Sequence, residues 1–123
     1  MIAGIGTDLV EIERIRKACA KQAFLVRCFR LEERTFFGSR YEKAAGNFAV
    51  KEAVAKALGT GFRTFMPSDI AVLREESGRP YVVLYNGAKT LAEERGITHI
   101  HVSITDTQEY AQAFAVAEVR KEA

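Results

Sequence analysis

A chain of 123 residues with 48% hydrophobic content is long enough to bury a core in one domain and too short for two. Its net charge of +2 is too small for a protein that coats nucleic acid, and no run of 18 apolar residues supports a membrane span. Two cysteines without metal-ligand spacing, and no basic leader before an apolar run, predict one cytoplasmic domain over residues 1–123 with neither nucleic acid nor membrane as partner.

Ile2 to Val10 alternates as a strand, with Ile5, Thr7 and Leu9 on one face and Gly4, Gly6 and Asp8 on the other. The glycines leave their face open to a close-packed neighbour or a ligand. Asp8 emerges there as either the cap of a following helix or a metal ligand. A single helix is expected from about Glu11 to Cys28, burying Ile12, Ile15, Cys19 and Val26. Cys19 and Cys28, nine apart within it, are too distant for a disulfide. From Glu13 to Arg30 basic residues outnumber acidic ones six to one, and Arg14, Lys17 and Lys21 recur on one face. Such a face is either simply solvated or a docking surface for an acidic partner.

Leu31 to Phe37 reads as a short helix with an aromatic anchor, broken at Gly38-Ser39. The central helix begins near Tyr41 and ends at Gly59, and its sequence from Asn47 onward is NFAVKEAVAKALGTG. One flank, Val50, Val54, Ala57 and Leu58, suits a core; Phe48, Glu52, Ala55, Lys56 and Gly59 gather on another. Glu52 and Lys56 are either an ordinary surface pair worth roughly 0.2 to 0.5 kcal/mol, or the two charges of a pocket that the small Ala55 leaves accessible. Gly59 and Gly61 follow the helix instead of preceding it, which excludes a Walker-type phosphate loop.

Phe62 to Ser68 is a connector whose Phe62 and Phe65 close the core. Asp69 to Tyr85 forms a hairpin about Ser77-Gly78-Arg79-Pro80, and Asn86 to Arg95 a short helix capped by Asn86 and stopped by Gly96. His99 to Thr105 alternates strictly: Ile100, Val102 and Ile104 share one face, while His99, His101, Ser103 and Thr105 either face solvent or line a site. The last strand, Tyr110 to Val119, sets Ala111, Ala113, Ala115 and Ala117 on one face, open to a close neighbour such as a second subunit. The fold class is α+β, with an antiparallel sheet packed against the long central helix and the N-terminal helix.

GIGTDLVEI at Gly4 to Ile12, FAVKEAVAKALGTG at Phe48 to Gly61, the Gly78 to Pro80 turn, and HVSIT at His101 to Thr105 before a final strand together resemble one family. It is that of the holo-acyl-carrier-protein synthases, small bacterial enzymes with the 4′-phosphopantetheinyl transferase fold. The resemblance implies magnesium-dependent transfer of phosphopantetheine from coenzyme A to a serine of an apo-acyl-carrier protein, leaving adenosine 3′,5′-bisphosphate, in the service of fatty acid biosynthesis. It implies that Asp8 and Glu52 bind the metal, and that Lys56 with the Gly59 to Gly61 turn lies against the pyrophosphate. It implies a homotrimer with sites between subunits, in which His101, with Ser103 and Thr105 beside it, reaches the coenzyme from the adjoining chain. It also implies that Arg14, Lys17 and Lys21 meet the carrier protein.

These residue types suit that chemistry. Magnesium commonly takes one or two carboxylates together with phosphate oxygens and water. Phosphoryl-group transfer needs an in-line nucleophile and positive charge against the phosphate oxygens. Glu52 is the expected acceptor of the serine proton, directly or through a metal-held water. Two positions depart from the family pattern: Asn47 stands where many relatives have arginine, and Asp106 where many have histidine. A metal-dependent hydrolase using Asp8, Glu52 and Lys56 on a pyrophosphate, with water in place of serine, is the alternative chemistry.

Overall fold

Strand β1 (Ile2–Glu11) opens the fold, followed by α1 (Ile12–Cys19), α2 (Gln22–Cys28), α3 (Leu31–Phe37) and the long α4 (Tyr41–Leu58). The chain continues through β2 (Ile70–Arg74), β3 (Pro80–Leu84), α5 (Asn86–Glu94), β4 (His99–Asp106) and β5 (Tyr110–Glu118). A computed structural model describes residues 1–121. The antiparallel pairing divides into a three-stranded sheet of order β1-β5-β4 and the separate β2-β3 hairpin. The first and last strands are thus neighbours, and the Met1 ammonium donates to the Val119 carbonyl at 2.8 Å.

The alternation read in β1 and β5 decides how α4 sits. Gly4 pairs with Ala117, Gly6 with Ala115 and Asp8 with Ala113, so the inner face of these strands is a nearly side-chain-free bed. Helix α4 lies directly on it. A Cβ on Gly4 would stand 2.0 Å from the Ala57 carbonyl oxygen, and one on Gly6 1.9 Å from that of Ala53. Glycine is required at both positions because backbone meets backbone. The alanine face of β5 is therefore filled within the chain: Ala113, Ala115 and Ala117 are buried in the main core with Ala53, Ala57 and Leu58. Of the close neighbours this face could admit, the one it meets is α4 of the same chain and not a second subunit. The face left uncovered is the opposite one, where Ile5 and Leu9 are 60% and 61% exposed and Phe114 46%.

A second cluster joins Ile15, Cys19, Cys28, Phe29, Phe37, Ala44, Ala45 and Ala111. It explains why the expected Glu11–Cys28 helix is two helices. Nine residues at about 100° each would put Cys19 and Cys28 on opposite faces of one helix. The extended backbone at Lys21 (φ −98°, ψ 120°) breaks the helix and lets both thiols reach one core. Burial pushes the Cys28 thiol up to about 11. After the break Val26 is turned outward and is 54% exposed, contrary to the stripe expected of a single helix.

The expected connector closes the core as read, with Phe65 buried and Phe62 packed edge-on against it at 5.5 Å. Gly59, in the left-handed region at φ 97°, ends α4, and the Arg95 guanidinium donates to the Leu58 carbonyl at 2.6 Å. Asn86 does not cap α5 through its side chain. It is the first helical residue, at φ 48°, and its amide donates to Asp69 Oδ1 at 2.9 Å. Among the described residues no helix is long and apolar enough to cross a membrane.

Candidate active site

Helix α4 crosses β1 with Ala57 at Gly4 and Ala53 at Gly6, and Asp8, two residues further along the strand, comes close enough to Glu52 for the two charges to interact. The two carboxylates line one pocket of about 610 Å³, together with Phe48 from α4 and Arg14, Ile15 and Ala18 from α1. Burial raises the carboxyl of Asp8 above its ordinary range, and Lys56 pulls it part of the way back. Glu52 is raised as well, first by burial and then by the charge of Asp8. Asp8 Oδ2 is buried and has no hydrogen-bond partner among the described residues.

Lys56 does not pair with Glu52 as an ordinary surface helix would have it. Its ammonium donates to the Thr7 carbonyl at 2.8 Å and stands 3.6 Å from Asp8 Oδ1, with the side chain about half exposed. Three acids, Asp8, Glu11 and Glu52, thus stand against two cations, Arg14 and Lys56, around this site. An orphaned carboxylate oxygen, excess negative charge and all-oxygen donors fit a hard divalent cation. No group of three or more His, Cys, Asp and Glu that could hold a metal forms among the described residues. Asp8 and Glu52 are the two carboxylates that could serve such a cation, with water and phosphate oxygens as its further ligands.

Arg14 reaches the rim of this pocket from α1, so the basic face and the acidic pair border one space. Arg16 is neutralised by Glu13, to which it donates at 2.8 Å, whereas Arg14, Lys17 and Lys21 form no ion pair among the described residues. Gly59 and Gly61 follow at the C-terminal end of α4, and the Gly61 amide donates to the Ala55 carbonyl at 3.2 Å. A side chain at Gly61 would meet nothing within 4 Å.

The β4 residues are not brought to this pocket within one chain. His101 lies on the outer face of the sheet, shares a 2.9 Å hydrogen bond with Glu118 and stacks on His99 at 6.3 Å between ring centroids. The pairing with His101, reinforced by Arg120, holds the Glu118 carboxyl below its usual range. Ser103 and Thr105 line a different cavity of about 160 Å³ beside Gln112 and Phe114. Asp106 lines a third, of about 150 Å³, with Lys43, Arg74 and Pro80.

Sequence reasoning missed a flank of α4 altogether. Asn47 and Lys51 are fully buried and meet the equally buried Glu33 of α3. Two polar residues one turn apart, with Ala44, Phe48, Val50 and Val54 around them, were the available signal. Nor was Arg95 legible as the cap of a helix 37 residues earlier.

A model of the 4′-phosphopantetheinyl transferase superfamily matches residues 4–117. The holo-[acyl-carrier-protein] synthase of Lachnoclostridium phytofermentans is 49% identical over 122 residues, covering 99% of this chain and all of that protein. The crystal structure of Helicobacter pylori holo-[acyl-carrier-protein] synthase in complex with coenzyme A superposes with a TM-score of 0.82 at 30% identity, covering 93% of this chain and 99% of that one. The Bacillus anthracis synthase, in complex with CoA (3′,5′-ADP), gives 0.81 at 33% identity over 98% and 99%.

Proposed function

From the premise that the chain belongs to the 4′-phosphopantetheinyl transferase superfamily, we propose that it moves phosphopantetheine from coenzyme A to a serine of an apo-acyl-carrier protein. The products are holo-carrier protein and adenosine 3′,5′-bisphosphate. The observation that carries this reading is the convergence of Asp8 and Glu52 on one large pocket, with Lys56 against Asp8 and Arg14 on the rim. The relatives support it: a holo-[acyl-carrier-protein] synthase is 49% identical, and one solved structure of such a synthase is in complex with coenzyme A.

In this reading Asp8 and Glu52 hold magnesium, which when bound neutralises the diphosphate oxygens and the leaving group. Lys56 turns its ammonium onto the pyrophosphate, and the Gly59–Gly61 turn, with open space beside Gly61, lets that group approach the backbone. Glu52 takes the serine proton. Apolar neighbours Ile15 and Phe48 exclude water around the reacting atoms. The carrier protein docks through acidic groups on Arg14, Lys17 and Lys21. The enzyme works in the cytoplasm as one domain and as a homotrimer. His101, Ser103 and Thr105 share the uncovered sheet face with Ile5, Leu9 and Phe114, so packing of that face on another copy is what carries them toward a neighbouring coenzyme.

Mass spectrometry of apo-acyl-carrier protein incubated with the enzyme, coenzyme A and magnesium tests the reading. A covalent gain of the phosphopantetheine mass is expected; consumption of coenzyme A without that gain overturns it in favour of hydrolysis.

A further inference from the structure

The bed that carries α4 is smooth. Gly4, Gly6, Ala113, Ala115 and Ala117 offer no side chain that interlocks with Ala53 and Ala57, so this contact sets the distance of the helix from the sheet but resists rotation about the helix axis weakly. Rotation is fixed on another flank. Lys51 follows α4 into a site where both its side chain and that of Glu33 have 0% exposure, and their charges meet at 2.8 Å. The ammonium also donates to the carbonyls of Pro67, at 3.1 Å, and of Ile70, so its three donors are all engaged and none is left for a substrate. Glu33 accepts in addition from the Arg30 amide at 3.1 Å and from the Asn47 side chain at 3.2 Å, and Asn47 donates to the Val72 carbonyl at 3.3 Å. One ion pair thereby ties α4 to α3, to β2 and to the short turn Pro67–Asp69.

We propose that Lys51 and Glu33 are positioning residues, whose pairing fixes the rotation of α4 and so the placement of the Glu52 carboxylate against Asp8. Lys51 and Glu52 are consecutive, so neither side chain turns about the axis without the other. A turn of about 20° moves a carboxylate at about 5 Å from the axis by roughly 2 Å, enough to separate two ligands of one cation. Burying an ion pair is seldom the most stable solution, because apolar replacements of similar volume are often neutral or stabilising. What the pair supplies in this fold is a single orientation.

The kinetic part of the test rests on the transferase reading; the other two parts do not. In the double variant Glu33→Met/Lys51→Met the fold is expected to persist with a Tm at or above that of the parent. Its affinity for Mn²⁺ falls at least about tenfold, kcat falls with it, and KM for the carrier protein stays within about twofold. Its crystal structure shows Glu52 displaced from Asp8. Parental Mn²⁺ affinity together with an unchanged Asp8–Glu52 separation overturns the proposal. If the double variant does not fold, Glu33→Gln, which keeps the shape and removes the charge, is read by the same criteria. A parent enzyme that loads no carrier protein sinks the transfer reading and leaves the crystallographic comparison decisive for this one.

Discussion

Lys56 lies 3.6 Å from Asp8 Oδ1 and not against Glu52, its neighbour one helical turn back. The ammonium thus half-compensates two acids that burial and mutual repulsion make costly to ionise. Replacing Lys56 by Met removes both a rival for the cation and a partner for the pyrophosphate, and the two effects have opposite signs. Mn²⁺ affinity is expected to stay equal or tighten, while kcat drops on the order of 10²-fold, as for loss of one charged donor. Titration and steady-state kinetics on the same preparation separate them.

Glu52→Gln relieves the repulsion with Asp8 and removes a carboxylate that burial disfavours. Without divalent ions the variant should be as stable as the parent or more so, by a few tenths to about 1 kcal/mol. Turnover is expected to disappear, with binding of the carrier protein nearly unchanged. A variant that still modifies the carrier at the parental rate contradicts both roles assigned to Glu52.

Because the folded-state carboxyls of Asp8 and Glu52 titrate above their ordinary range, they favour the fold when protonated, below their unfolded values. That contribution is lost as pH climbs through the raised values. A divalent cation must displace those protons, so its affinity rises across the same window and levels off above it. The Tm increment from added magnesium should accordingly be largest at pH 7 and vanish near pH 4. An increment that does not change with pH would show that other groups hold the ion.

On the proposed docking face, charge reversal at Arg14 and Lys21 acts on encounter with the carrier protein. Its KM is expected to rise about tenfold or more, increasingly so at low salt, with much less change in KM for coenzyme A. Equal effects on both substrates would refute docking on this face.

Gly6→Ala places a methyl group 1.9 Å from the Ala53 carbonyl oxygen, which forces β1 and α4 apart. Destabilisation of about 1 to 3 kcal/mol follows from overpacking. Since Asp8 is two residues along the same strand, Mn²⁺ affinity falls as well, and parental affinity in the folded variant would uncouple the bed from the site.

Much of this was legible from local pattern. The alternation of β1, β4 and β5, the Gly78 hairpin and the glycine stop of α4 each follow from two to four neighbouring residues, and each strand has the faces its sequence assigns. Asp8 and Glu52 could be named because they stand in compact motifs. Their meeting could not be derived, since it depends on which glycine faces which helix carbonyl. The break at Lys21 was hidden because every residue there tolerates a helix, and only the shared core of Cys19 and Cys28 breaks it. The Glu33–Lys51 pair was hidden for a similar reason: a glutamate in a first helical turn and a lysine beside a glutamate both read as solvated. Lys56 was found, but its partner was not, because the choice between Asp8 and Glu52 is made by tertiary structure.

The pairing of β1 with β5 also governs when the enzyme can come into being. During translation the strand bearing Asp8 leaves the ribosome well before its only partner strand among the described residues, Tyr110–Glu118. A nascent chain short of Tyr110 leaves β1 and β4 without the strand that joins them and α4 partly uncovered, so cooperative folding waits for β5. Shortening the gene from its 3′ end past that strand would therefore yield an aggregation-prone polypeptide, not a partial enzyme.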